Sequence, residues 1–363
     1  MKIVIFGGGL QGKVIADNLA ARPEKPQVVI ADIAKLVVKE DKSGRITHER
    51  VDVLNLEQVK EVTKDADVCI LAVPSAIAHE SLNNLLKCGK PIVDVSFTPD
   101  PPLSLNQEAI KSGACCVVDC GIAPGLSHIL VSHAYEELGG LDEAKIYVGG
   151  VPQKPADVFN HAIYFNPQDL IAEYVRPARA RVKGQDIAPH PLEAEIEPFK
   201  DKELGEMEAF LSDGLRSLLT SFPDIPEMSE RTLRWAGHLE TMKNLWQMGF
   251  FADDHIPQTA RVLNESYPAS KFEDCLLMTV MARKGNKTKT YRLLDKHTDN
   301  ISAMSRTTGF TTAATAMILA RGQFTQPGVH APEVLGKDKA IVSAILEDLA
   351  ERGVKSNELV GSN

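Results

Sequence analysis

The sequence predicts an α/β chain: a doubly wound parallel sheet at the N-terminus, then a second α+β domain containing a mixed or antiparallel sheet. Three observations predict it. Apolar runs alternate with helix-like segments over residues 1–120. Those runs are nearly continuous in Val and Ile, as in strands covered on both faces. The regular order then stops after Gly121. Strands are expected at Lys2–Phe6, Gln27–Ala31, Arg50–Leu54, Val68–Val73, Pro91–Val95 and Cys115–Asp119, with helices near 12–22, 57–64, 78–88 and 105–112. Six parallel strands joined by crossover helices make a Rossmann sheet.

Beyond Gly121, a helix at Leu126–Leu138 places Leu126, Ile129, Leu130, Ala134 and Leu138 on one face. Isolated strand patterns follow at Lys145–Val148, Met207–Leu211, Thr232–Trp235, Leu276–Arg283 and Lys287–Leu294. Gly285-Asn286 joins the last two as a hairpin, and the whole reads as an open, largely antiparallel sheet. Ile301–Arg321, rich in Ala and Thr, reads as a long buried helix packing back on the first domain. The expected division is 1–125, 126–300 and 301–363, the last a helical segment returning to the first. A chain of 363 residues exceeds what one core usually supports.

Composition excludes several classes. Hydrophobic residues at 44% and charged residues at 25% are ordinary for a globular protein. The longest apolar runs, such as Val68–Val73, are too short to span a bilayer, which argues against a membrane role. Met1 and Lys2 lead straight into a strand pattern, so no signal peptide is expected. The six cysteines form no CxxC pair, and the reading is a reduced, cytoplasmic protein. Net charge is −9 and no basic run is present, which argues against a nucleic-acid partner.

Gly7-Gly8-Gly9-Leu10-Gln11-Gly12 fits G-x-G-x-x-G at Gly7, Gly9 and Gly12, between a strand and a helix, the context such a turn requires. Gly7 allows the turn, Gly9 lets backbone N–H groups approach a pyrophosphate, and Gly12 permits close helix–strand packing. Leu10 and Gln11 belong to the same turn. Asp32 ends the second strand about 20 residues beyond Gly12, where a carboxylate accepts from a ribose 2′-OH and repels a 2′-phosphate. No Arg follows it, though Lys35 is near, so the expected cofactor is NAD.

Ligands of an open parallel sheet sit beyond the carboxyl ends of its strands. Here those ends carry Val73-Pro74-Ser75, Asp94-Val95-Ser96-Phe97 and Cys120-Gly121-Ile122-Ala123-Pro124-Gly125. Val73, Pro74, Ser75, Gly121 and Pro124 are therefore added to the cofactor-binding candidates. Each chemical candidate has a plainer alternative: Asp94 or Ser96 as a cap, Cys120 as a small buried hydrophobe. Cys115, Cys116, Cys120 and His128 lie close in sequence but lack a recognised ligand spacing, so no metal is expected.

The runs Val93–Phe97 and Cys120–Ser127 are similar to those of the saccharopine dehydrogenase-like family. Tyr147–Pro152, Ser212–Ser217, Arg231–His238 and Met304–Thr311 resemble its lysine 6-dehydrogenase branch. These motifs extend over nearly the whole chain. The resemblance implies a Rossmann domain, a second domain with a mixed sheet, a C-terminal helix returning to the first, and a homodimer built through the second domain. It implies a reaction in which L-lysine and NAD give allysine, ammonia and NADH, the allysine cyclising to a piperideine carboxylate. The saccharopine branch has Asp at the place of Ala123 and Tyr at that of Phe97. Those departures argue against saccharopine, whose extra carboxylates need further cationic partners. Kept as alternatives are a saccharopine or carboxynorspermidine dehydrogenase using NAD(P), and a non-catalytic NAD-binding regulator.

An amino-acid substrate needs a carboxylate clamp, and the planar fork of arginine suits it. Arg216, Arg234 and Arg306 lie inside the matched motifs, each with an inter-element ion pair as its other reading. Ser96 and Phe97 complete the substrate-binding candidates. A free lysine amine has a pKa of about 10.4, so a base or alkaline pH must remove its proton. Asp94, Asp213 and His128 are the unranked candidates, with Cys120 beside them in the catalytic set. His161 and His238 are weaker, since a lone histidine is more often structural.

Overall fold

The computed structural model describes residues 1–34, 44–98, 101–155 and 158–360. The chain divides into two compact units, residues 1–132 with 305–353 and residues 133–304 with those from 354 onward. In the first unit β1 (Lys2–Phe6), β2 (Gln27–Asp32), β3 (Ile46–Arg50), β4 (Val68–Leu71), β5 (Ile92–Asp94) and β6 (Cys115–Val117) alternate with helices. The helices are α1 (Leu10–Ala20), α2 (Leu56–Thr63), α3 (Ser75–Leu86) and α4 (Asn106–Ser112). Next comes α5 (Leu126–Leu138), within which the boundary between the units falls. Ile3, Val4, Ile5, Val68, Cys69, Ile70 and Leu71 are fully buried, and the strands pair in parallel, as doubly covered strands do.

Among the described residues the sheet has seven strands, not six. Gly328–His330 pairs in parallel with β6, giving the order Gly328–His330, β6, β5, β4, β1, β2, β3. A three-residue strand opening on glycine carries too little pattern to stand out. The order reverses between β1 and β4, the crevice where such sheets bind ligands. β3, expected at Arg50–Leu54, lies instead at Ile46–Arg50. It is an edge strand with exposed side chains, while Val51 and Val53, which suggested the later register, pack into the core beside Val59 and Val62 of α2. Asn55 caps α2 by accepting from the Glu57 and Gln58 N–H groups.

The second unit carries β7 (Glu143–Pro152), β8 (Ala180–Val182), β9 (Gln185–Ile187), β10 (Glu197–Asp201), β11 (Gly205–Leu211), β12 (Glu227–Trp235), β13 (Asp274–Lys284) and β14 (Lys287–Lys296). Its helix α6 (Pro167–Val175) is capped by Asn166. The sheet path is β10-β11-β12-β7-β13-β14-(Ser356–Val360), with β8 and β9 joined off β12. It is mixed, because β7 and β12 run parallel while their outer neighbours are antiparallel. The β13–β14 hairpin turns at Gly285, whose φ of 56° a glycine accepts without strain. Arg292 of β14 donates to Asp201 at the end of β10 at 2.8 and 2.9 Å, so the sheet curls to bring distant strands together. Along β12, Leu233 and Trp235 face a core with Tyr147, Met207 and Leu277. Alternation therefore puts Glu230, Thr232 and Arg234 together on the other face. The long helix expected at Ile301–Arg321 runs Ala303–Ala320, and Asp274 caps it by accepting from the Ala303 and Met304 N–H groups at 2.7 and 2.9 Å.

No helix of the described residues is long and apolar enough to cross a membrane. Among the same residues no cluster of three His, Cys, Asp or Glu side chains could hold a metal ion.

Candidate active site

The glycine turn after β1 has three different reasons for its three glycines. Gly7 has φ of 105°, and a Cβ there would lie 2.1 Å from the Ala72 carbonyl oxygen. A Cβ on Gly12 would lie 1.8 Å from the Gly7 oxygen, so that position is fixed by packing. At Gly9, the N-cap of α1, a Cβ would meet nothing within 4 Å. This is the open side of the turn. The first N–H groups of α1 have no acceptor one turn back, and the helical ladder begins with Lys13 donating to Gly9 at 3.1 Å. Gln11 Oε1 is buried without a hydrogen bond, and Leu10 is exposed. Unpaired N–H groups, positive helix end and an open approach at Gly9 fit the pyrophosphate of a dinucleotide.

Asp32 stands at the end of β2 and is tied to this turn. Its Oδ2 accepts from the Gly8 N–H at 2.6 Å and its Oδ1 from the Ala34 N–H at 2.8 Å. Each oxygen keeps a further lone pair. Arg50 pairs with Asp32 across the β2–β3 ladder, and its Nε donates to the Ile33 carbonyl at 3.2 Å. Lys35 lies outside the described residues.

The ends of β4 to β6 are bound to one another. The Ser96 hydroxyl accepts from the Val73 N–H at 3.0 Å, and Asp94 Oδ1 accepts from the Ser96 N–H at 2.8 Å. Asp94 is 1% exposed, so it shapes this turn from inside the unit. Phe97 is half-buried beyond it. Pro74 immediately precedes α3, and Ser75 is the first residue of that helix. Gly121 donates to the Pro124 carbonyl at 3.0 Å across the turn that holds the cis Ala123–Pro124 bond. His128 is fully buried, and its Nδ1 accepts from the Gly125 N–H at 3.3 Å, holding the same turn. Cys120 is fully buried against Thr315 at 3.2 Å, and burial pushes its thiol up to about 12. A thiol that far from ionisation is a poor base or nucleophile. Arg306 stacks on Phe310 at 5.2 Å and donates to the Arg352 carbonyl at 3.2 Å.

The remaining candidates lie on the second unit. Arg179 holds Asp213 through two side-chain bonds of 2.7 and 3.0 Å, with a third from its own backbone N–H at 3.3 Å. Arg216 is half-buried with φ of 43°. Arg234 spends its fork on protein: Nε on the Tyr174 hydroxyl at 2.8 Å, Nη1 on the Leu233 carbonyl at 2.9 Å and Nη2 on Glu173 at 2.7 Å. The Tyr174 hydroxyl also pairs with His238 Nε2 at 2.8 Å, and His238 Nδ1 pairs with the Phe159 carbonyl at 2.6 Å. Burial, with Arg234 nearby, drives His238 down to about 3, so it stays neutral. His161 is buried beside it with ring centroids 5.0 Å apart.

The candidates thus fall into two sets, one on each unit. Asp94, Ser96, Cys120 and His128 shape adjoining turns of the first; Asp213 and Arg234 belong to ion pairs of the second. Glu173, Tyr174, Arg179 and Glu230 do not stand out in the sequence. Period-two alternation from Arg234 back through Thr232 was the signal available for Glu230.

A family profile described as the saccharopine dehydrogenase NADP binding domain matches residues 3–117, and one described as the saccharopine dehydrogenase C-terminal domain matches residues 121–354. A curated Saccharomyces cerevisiae protein, saccharopine dehydrogenase [NADP(+), L-glutamate-forming], is 23% identical over 276 residues, covering 69% of this chain. The chain spans 59% of that protein's length. A Schizosaccharomyces pombe protein of the same description is 24% identical over 106 residues, 28% of this chain and 24% of that protein. Among solved structures, apo saccharopine dehydrogenase (L-Glu forming) from S. cerevisiae superposes with a TM-score of 0.80 at 17% identity. It covers 99% of this chain and 100% of that one. C. glutamicum DAP dehydrogenase in complex with DAP gives a TM-score of 0.52 at 14% identity, covering 97% of this chain and 98% of that one.

Proposed function

The chain belongs to the saccharopine dehydrogenase family, and on that premise we propose that it is an NAD-dependent dehydrogenase oxidising the ε-amine carbon of L-lysine to allysine. The observation that carries the dehydrogenase reading is the cradle at Gly9, open on one side and backed by the Asp32 carboxylate. NAD held there supplies a hydride acceptor. The chain's own part is to present the first N–H groups of α1 to the pyrophosphate and the spare lone pairs of Asp32 to the adenosine ribose. The resemblance implies a homodimer, and the proposal includes it.

The choice of lysine over saccharopine rests on charge. Lysine brings one carboxylate, whereas saccharopine brings additional ones that need cationic partners. On the second unit Arg179, Arg231 and Arg234 are already paired with Asp213, Glu197 and Glu173. That supports a substrate with a single acid group. Following NADH absorbance with purified protein and NAD tests it. Turnover of lysine, rising between about pH 7 and 10 as the amine is freed, is expected. Turnover of saccharopine or carboxynorspermidine alone would shift the assignment within the family, and cofactor binding without any turnover would make the chain a regulator.

NAD over NADP is read from Asp32, but Arg50 beside it has the chemistry of a 2′-phosphate partner. Replacing Asp32 with Gly is expected to lower the NAD-to-NADP preference in kcat/KM by about tenfold or more. Arg50→Ala is expected to leave NAD constants within about twofold and to cut NADP use. Unchanged constants for both cofactors in the Asp32 variant would remove the argument.

A further inference from the structure

We infer that Glu230 of the second unit is the anchor for a primary ammonium group, the remote amine of the substrate. This deepens the lysine reading and rests on it.

Glu230 shares its face of β12 with Thr232 and Arg234. It is 4% exposed, and its Oε2 has no hydrogen bond. Its carboxyl fills the space of a missing side chain: a Cβ on Gly214 would lie 1.5 Å from Oε1 and 2.0 Å from the carboxyl carbon. The chain has therefore made room for this group and left one oxygen idle. Two other acids act on Glu230 through their charge: Glu173 from α6, and Asp213 next to Gly214. Arg234 is committed to Glu173 and Arg179 to Asp213. Among the described residues no cation pairs with Glu230. Burial first, then the neighbouring Glu173 and Asp213 carboxylates, raise it to about 8, so it is protonated at neutral pH.

A buried carboxyl with an unsatisfied oxygen and no cation is costly unless something fills it. A primary ammonium has the matching chemistry, with one positive charge and three N–H donors. Thr232 Oγ1, bonded to Ser212 Oγ at 2.9 Å, places two hydroxyls nearby on the chain. On binding, Glu230 gives its proton to solvent and its carboxylate pairs with the ammonium, so charge balances within the site; the ammonium then has to lose its own proton before hydride transfer, which is why turnover rises with pH.

Calorimetric titration of the full chain with L-lysine, at about pH 7 in two buffers of different ionisation enthalpy, counts the protons released. The wild type is expected to release about one. Glu230→Gln is expected to release none and to bind lysine about tenfold more weakly or worse. NADH affinity is expected to be the same in both. L-Norleucine, which has the same length without the amine, is expected to release no proton. A second readout needs no variant: the carbonyl stretch of the protonated acid disappears when lysine is added and persists with norleucine. Equal lysine affinity and proton count in the Gln variant, or a band that lysine leaves in place, overturns the inference even if lysine is oxidised. Glu230-dependent binding without NADH formation upholds the anchor and overturns the dehydrogenase reading. If lysine does not bind the wild type, both fall.

Discussion

A Gly9→Val protein is expected to bind NADH about a hundredfold more weakly than the wild type, a loss of about 2.7 kcal/mol, while unfolding at nearly the same temperature. The two halves of that result come from the same observation. Gly9 has φ of −70°, which any residue adopts, and a Cβ there meets no atom within 4 Å. The folded protein therefore has no reason to resist the substitution, and exposed changes of this kind cost about 0.5 kcal/mol or less. The empty space is the approach to the α1 N–H groups, which a valine side chain fills. Gly12→Ala is the contrast, because its Cβ would lie 1.8 Å from the Gly7 backbone oxygen. It is expected to lose cofactor binding together with stability, so it cannot separate the two. Fluorescence titration with NADH beside thermal unfolding reads both variants. Wild-type NADH affinity in a folded Gly9→Val protein would mean that the turn does not hold a dinucleotide.

What the sequence reveals of this site follows from how local the causes are. Gly7, Gly9, Gly12 and Asp32 are legible because strand, turn and helix lie within one short stretch whose chemistry is fixed by backbone sterics. The Arg50 placement is not. Val51 and Val53 look like strand residues, yet they pack into the core after β3 has ended, so Arg50 stands at the carboxyl end of an edge strand beside Asp32. β8 and β9 are only three residues long, and β10 is mostly polar, so none shows a strand period. Asp213 looks like a free acid in sequence; its partner Arg179 lies 34 residues upstream, with no local signal. Asp94 and His128 carry the right functional groups, but each has a backbone N–H to accept. Hydrogen bonds of that kind are set by tertiary structure and leave no trace in spacing.

Glu230 leads to the second large effect, a loss of stability in mildly alkaline solution that a single amide removes. Its folded pKa of about 8 lies well above the value of about 4.3 expected of an unfolded glutamate. The folded chain thus binds this proton more tightly than the unfolded one. The stabilisation is complete below about pH 4.3 and is lost progressively as pH rises through about 8. Between pH 6 and pH 9 the wild type is expected to lose about 2–3 kcal/mol relative to Glu230→Gln, which keeps the shape of the side chain and does not ionise. Glu173 and Asp213, whose charges act on Glu230, are present in both proteins. Urea unfolding of each at the two pH values measures the difference. Parallel changes would mean that the Glu230 carboxyl finds a partner or water that keeps its pKa ordinary. A convergence that lysine suppresses in the wild type at pH 9, and leaves untouched in the Gln variant, ties the stability of the second unit to the same charge that is argued to hold the substrate's amine.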